Sequence, residues 1–168
     1  YNLTKHGNRK VIFILGKGQL LNQSIVSKKP NALFCEAVCP VKVIEIAEEQ
    51  FLQLMEQSHA LTRAVLREYE RNLWRMGHQL KNTTGNMQME RKIAAKLWKL
   101  GRDFGVDTED GVMIDIDLTI TLMADLVGAP RENVSRACKV LTDRGLIRYG
   151  NKRFILTDSD GLAEFYKM

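Results

Sequence analysis

LTITLMADLVGAPRENVSRACKVLTDRGL, residues 118–146, is the stretch whose reading decides the fold. Leu118, Leu122, Leu126 and Val127 recur at helical rather than strand spacing, with the small Ala124 on the inner side. Thr119 is placed to cap the start of that helix. Gly128 marks a corner, where a residue without Cβ turns the chain at little steric cost. Pro130 suits the first position of a second helix, whose N–H is unpaired anyway. In that helix Val134, Ala137, Cys138 and Leu141 fall on one side. Arg131, Glu132, Ser135, Arg136 and Lys139 fall on the other. The pattern predicts a helix-turn-helix, the unit whose second helix enters the major groove of DNA. A charged row on its own is equally an ordinary solvated face. The flanking segments bear on the choice.

Downstream, residues 146–149 and 153–156 are apolar or alternating runs around Gly150-Asn151-Lys152. A Gly-Asn turn between such runs predicts a β-hairpin. Upstream, Val112-Met113-Ile114-Asp115-Ile116 predicts a further short strand. A small sheet beside a helix-turn-helix makes it a winged one.

The 168 residues, 45% of them apolar, suffice for one domain or two small ones with a real core. A net charge of +5 permits nucleic-acid binding without requiring it. Cys35, Cys39 and Cys138 are an odd set, unlike a secreted disulfide framework, so reduced thiols in a cytoplasmic protein are expected. No signal peptide or membrane-spanning apolar run is present, and no membrane partner is expected. The chain opens at Tyr1, without a methionine and inside an expected strand, so a preceding segment is expected. Catalytic signatures such as Gly-x-Ser-x-Gly, a Walker loop or His-Glu-x-x-His are absent, and no enzyme is predicted.

Toward the N-terminus the reading is β. A turn at 5–8 precedes an apolar strand at 10–15, and Gly16-Lys17-Gly18 turns again. Residues 32–38 and 41–46 are two more expected strands around Cys39-Pro40, together suggesting a sandwich or roll. A short helix opens at 47–49 with Phe51, Leu52, Leu54 and Met55 as its apolar residues. A long helix follows over about 59–81. Leu66, Tyr69, Leu73, Met76 and Leu80 recur at three and four, the seam of a two-stranded coiled coil. The alternative is that this stripe packs within one subunit. A second stripe, Leu61, Val65 and Trp74, is expected to face the roll. Polar residues 81–86 read as a hinge. Residues 89–104 then form an amphipathic helix, 107–111 a polar loop, and 158–166 a terminal helix.

This order of parts resembles the cyclic-AMP receptor/fumarate-nitrate regulator (Crp/Fnr) family of bacterial transcription factors. The residues that carry the resemblance are Gly128-Ala129-Pro130-Arg131-Glu132-Asn133-Val134-Ser135-Arg136 and Leu141-Thr142-Asp143-Arg144-Gly145-Leu146-Ile147, with the 16–18 turn and Glu45-Ile46 in step. It implies an α+β fold: a partial, cyclic-nucleotide-binding-like β-roll over 1–58, a dimerisation helix over 59–82 and a winged helix-turn-helix over 83–168. By the resemblance, the front of the roll is expected to precede Tyr1. By resemblance, Arg131, Glu132, Ser135 and Arg136 read bases in an inverted repeat with half-sites like TGTGA or TTGA. Arginine can donate twice to guanine and glutamate can accept from cytosine. Thr119, Thr121, Asn133 and Lys152 would touch phosphates.

The resemblance also implies double-stranded DNA, a second copy of the chain, RNA polymerase and a small-molecule effector as partners. Cyclic-nucleotide binders of the family carry Gly-Glu and Arg-Ser or Arg-Thr in the roll. Here those places hold Asn22-Gln23 and Asn31-Ala32. Lys28 and Lys29 are not bidentate substitutes for arginine. The effector is therefore expected not to be cyclic AMP. Gln23, Asn31, Trp74, Gly77 and His78 are the pocket candidates, with an ordinary half-exposed histidine as the alternative for His78. No metal or other cofactor is indicated, since an iron–sulfur cluster usually takes four cysteines. Each of the three cysteines is expected to be buried and structural. The rival function is a roll and coiled-coil interaction module without specific DNA binding.

Overall fold

The computed structural model describes all residues except 6, 23, 27–29, 32, 84–86 and 168, and side chains except those at 80–83 as well. It divides into two units, which are taken in turn. One joins Tyr1–Ile14 to Gly85–Met168, and the other is Leu15–Thr84.

The first unit opens with a minimal hairpin, β1 (Asn2–Leu3) and β2 (Arg9–Lys10), paired Asn2 to Lys10 and Leu3 to Arg9. Helix α3 (Met89–Phe104) is amphipathic and buries Ile93, Ala94, Leu97 and Leu100. It ends at Gly105, where a Cβ would run into the carbonyl oxygen of Gly101. Strands β3 (Gly105–Thr108) and β4 (Gly111–Ile114) form a hairpin, and β5 (Ile147–Gly150) and β6 (Arg153–Leu156) a second. The sheet order is β3-β4-β6-β5, all antiparallel. Helices α4 (Ile120–Val127), α5 (Arg131–Asp143) and α6 (Ser159–Lys167) complete the layer. Ile93, Leu97, Ile114, Leu118, Met123, Leu141, Phe154 and Leu162 share one core and expose essentially nothing. The α+β class and the winged helix-turn-helix thus stand as expected.

The β3 strand is a correction, because residues 107–111 read as a loop. All four of its residues are exposed, so no apolar alternation marks it. A second correction concerns Tyr1–Ile14, assigned by sequence to the roll with residues 15–58. These residues pack instead on α4: Val11 is buried, its N–H donates to the Asp125 carbonyl (3.1 Å), and Arg9 lies 3.5 Å from the Asp125 carboxylate.

The second unit holds α1 (Glu48–Gln57) and α2 (His59–Thr83). The expected strands at 32–38 and 41–46 are not sheet strands, and of 10–15 only Lys10, the end of β2, is: among the described residues of 11–46 none lies in a sheet strand. A strand draws its hydrogen bonds from another segment, so an apolar run alone does not make one. The 16–18 turn does form, closed by the Gln19 amide on the Gly16 carbonyl (3.3 Å). Helix α2 runs two residues past the expected 81, which narrows the hinge. On α2, Val65 is buried and Leu61 half-buried, but Trp74 is exposed against His78 at 3.9 Å between ring centroids. Trp74 therefore does not share the buried stripe expected of it.

Phe154 is the largest fully buried side chain. Phe154→Ala removes it from a close-packed core and should lower stability by about 3–5 kcal/mol. Urea unfolding of the full chain measures this, and a loss below about 1 kcal/mol would contradict the core assignment.

Candidate nucleic-acid interface

Helix α4 starts where the Thr119 hydroxyl accepts the Leu122 N–H (3.0 Å), the cap read from sequence. It stops at Gly128, whose backbone is left-handed (φ 73°, ψ 48°) and whose N–H returns to the Ala124 carbonyl. A side chain there would be strained, and its Cβ would stand 2.7 Å from the Lys10 amine. The corner thus depends on glycine. Pro130 sits one position earlier than expected, as the N-cap of α5, with its carbonyl accepting the Asn133 and Val134 N–H groups.

Helix α5 divides into two faces. Val134, Ala137, Cys138 and Leu141 are buried, and α5 packs on α3 and α4. Arg131, Glu132, Ser135, Arg136 and Lys139 are all exposed. Their offsets of one, four, five and eight residues from Arg131 place them on one side of a 3.6-residue helix. The structure therefore brings the four expected base readers together on one open face. Arg136 donates to the Asn133 side-chain oxygen (2.5 Å). Asn133, expected to touch a phosphate, is thereby also a partner that orients Arg136. The i, i+3 spacing carried that signal.

The wing is fixed to the same corner. Asn151 and Lys152 both have positive φ (50° and 60°), as a two-residue hairpin turn matched to strand twist requires. The Leu118 N–H donates to the Lys152 carbonyl at 2.7 Å, which ties the wing tip to the residue before Thr119. Lys152 and Thr121 are exposed and Thr119 half-buried. Arg153, next to the turn, forms an ion pair with Asp115 and lies 4.0 Å from Asp117, bracing the wing tip.

Residues 91–165 match the family model of the Crp-like helix-turn-helix domain. The chain is 25% identical over 158 residues to a CRP-like cAMP-activated global transcriptional regulator of Mycobacterium tuberculosis, covering 94% of this chain and 70% of that one. It is 26% identical over 132 residues to a global nitrogen regulator of Nostoc sp., covering 77% and 59%. In fold it is similar to a CooA mutant from Carboxydothermus hydrogenoformans: TM-score 0.65, 18% identity, 70% of this chain and 54% of that one. Residues 91–165 are thus a Crp-like helix-turn-helix domain. The chain spans about half to two-thirds of the length of most of these relatives.

Among the pocket candidates, Gln23 lies outside the described residues, while Asn31, Trp74, Gly77 and His78 are exposed. A Cβ built on Gly77 would meet nothing within 4 Å. In the second unit this face is open surface. The cysteine expectation holds for one residue of three: Cys138 is buried, and Cys35 and Cys39 are exposed. Burial pushes the Cys138 thiol up to about 11. The two exposed cysteines flank a segment with no sheet partner to cover it. Among the described residues no three His, Cys, Asp or Glu side chains gather as a metal site, and no helix is long and apolar enough to cross a membrane.

Proposed function

We propose that this chain is a sequence-specific DNA-binding transcription regulator that acts as a homodimer on an inverted repeat. The observation that carries the reading is the exposed Arg131–Glu132–Ser135–Arg136 face of α5, seated on a core through its opposite face. Glu132 and Arg136 read a C·G or G·C pair, Arg131 takes a neighbouring guanine, and Ser135 makes a smaller adjustment. Lys152, Thr119, Thr121 and Asn133 fix the register on phosphates. Two such helices about a two-fold axis need half-sites about one helical turn apart. RNA polymerase is the downstream partner in this reading. The rival module without DNA binding leaves this face without a role.

Arg136→Ala should lose roughly 1–3 kcal/mol per half-site and relax preference at one base pair. Lys152→Ala should weaken all sequences alike and flatten the salt dependence. Binding to a panel of single-base operator variants separates the two. A uniform loss for Arg136→Ala over the whole panel would make it a phosphate clamp.

The dimer reading is supported by the exposure of Leu66, Leu73 and Met76 (56%, 68% and 44%) on one side of α2. Apolar side chains at this spacing, open in the single chain, suit a second copy of the helix. Tyr69 is half-buried, and the Leu80 side chain lies outside those described. Leu73→Glu puts an unpaired charge in the seam and should weaken association by about 3–5 kcal/mol. An unchanged dimer in sedimentation would contradict the seam.

The effector is a small molecule other than cyclic AMP, although the mycobacterial relative is named as cAMP-activated. The support is Asn31, an uncharged residue where a cyclic phosphate needs arginine. Calorimetry with cyclic AMP should show no micromolar binding, and a clear micromolar affinity would overturn this part of the reading.

A further inference from the structure

A cavity of about 350 Å³ opens in the first unit between the end of α5 and α6, lined by Arg144, Leu146, Gly161, Glu164 and Phe165. Backbone contacts fix its walls. Helix α5 closes on Gly145, left-handed at φ 72°, whose N–H returns to the Thr142 carbonyl (2.9 Å). The Thr157 hydroxyl donates to the Gly145 carbonyl (2.7 Å), and the Thr157 N–H to the Leu146 carbonyl (3.2 Å). On the α6 side, the Asp158 carboxylate accepts the Gly161 N–H (2.8 Å). A Cβ on Gly161 would run into that carboxylate, so this part of the wall carries no side chain. Leu146 is buried and Phe165 half-buried, and they make the lining apolar.

The two remaining lining residues carry opposite charges. The Arg144 guanidinium lies over the Phe165 ring, 4.9 Å from its centroid, and this contact holds the cation at the cavity. Among the described residues, neither that guanidinium nor the Glu164 carboxylate has a hydrogen bond or ion pair, although both line the same space. A cation and an anion that border one apolar surface without pairing are complementary to a ligand that carries both charges.

We infer that this cavity binds a free α-amino acid with an apolar side chain. Arg144 donates to the ligand carboxylate and Glu164 accepts from its ammonium, both as charge-assisted hydrogen bonds. The apolar side chain lies against Leu146 and Phe165. The volume falls at the small end of ligand sites, which run to roughly 300–1,000 Å³. A ligand held this way ties the end of α5 to α6. The site uses none of the Arg131–Arg136 face and stands apart from the regulator reading.

Nuclear magnetic resonance of the full chain without DNA tests this, with L-phenylalanine as the probe. Up to about 10 mM, it should shift the amide signals of Gly145, Leu146 and Gly161 and saturate them. Hydrocinnamate lacks the ammonium and phenethylamine lacks the carboxylate, and each should bind about tenfold more weakly. Arg144→Gln and Glu164→Gln alter exposed side chains. Arg144→Gln should abolish the preference over phenethylamine and keep that over hydrocinnamate, and Glu164→Gln should do the reverse. If Arg144→Gln does not fold, Glu164→Gln carries the test alone. A merely structural role would weaken all three ligands alike. That result, no shift at these amides, equal binding of the three ligands, or variants with both preferences unchanged would overturn the site.

Discussion

The DNA-reading role proposed for this molecule depends on the division of α5 into a buried and an exposed face. Val134, Ala137, Cys138 and Leu141 have almost no exposure. Moving them out would cost a large part of a small domain's stability, since each is worth on the order of 1–3 kcal/mol of burial. That anchoring leaves the rotation of α5 about its own axis no freedom. Arg131, Glu132, Ser135 and Arg136 are therefore presented by default. A base-reading helix needs such rigidity, because a bidentate contact fails if the helix turns by a fraction of a residue.

The corner and the wing extend the same constraint. Gly128 adopts a backbone open to few other residues, so α5 leaves α4 at a set angle. The Leu118–Lys152 hydrogen bond and the Arg153 ion pairs hold the wing tip beside the α4 start. Base-reading and phosphate-touching candidates thus lie on one rigid piece, and the order of elements from α3 to β6 serves that geometry.

Much of this was legible in the sequence because it is local. The period of α3, the Thr119 cap, the Gly128 corner and the Gly150-Asn151-Lys152 turn each depend on a few adjacent residues, and each is where the sequence put it. What was not legible depends on distant partners. β3 is an edge strand exposed on both faces, so nothing in its composition sets it apart from a loop. The apolar runs of 32–38 and 41–46 looked like strands, but pairing is a property of two segments. Val41, Val43 and Ile44 remain exposed. Trp74 fell on the expected helix but not in a buried stripe.

The claim on which the account turns is that α5 reads bases from the major groove. Dimethyl sulfate interference tests it directly, since methylation marks guanine N7 in the major groove and adenine N3 in the minor groove. On a duplex selected for tight binding, guanine N7 methylation should abolish binding in two clusters about one helical turn apart, with adenine N3 methylation without effect between them. Interference confined to adenine N3, or none at any guanine, would contradict the account.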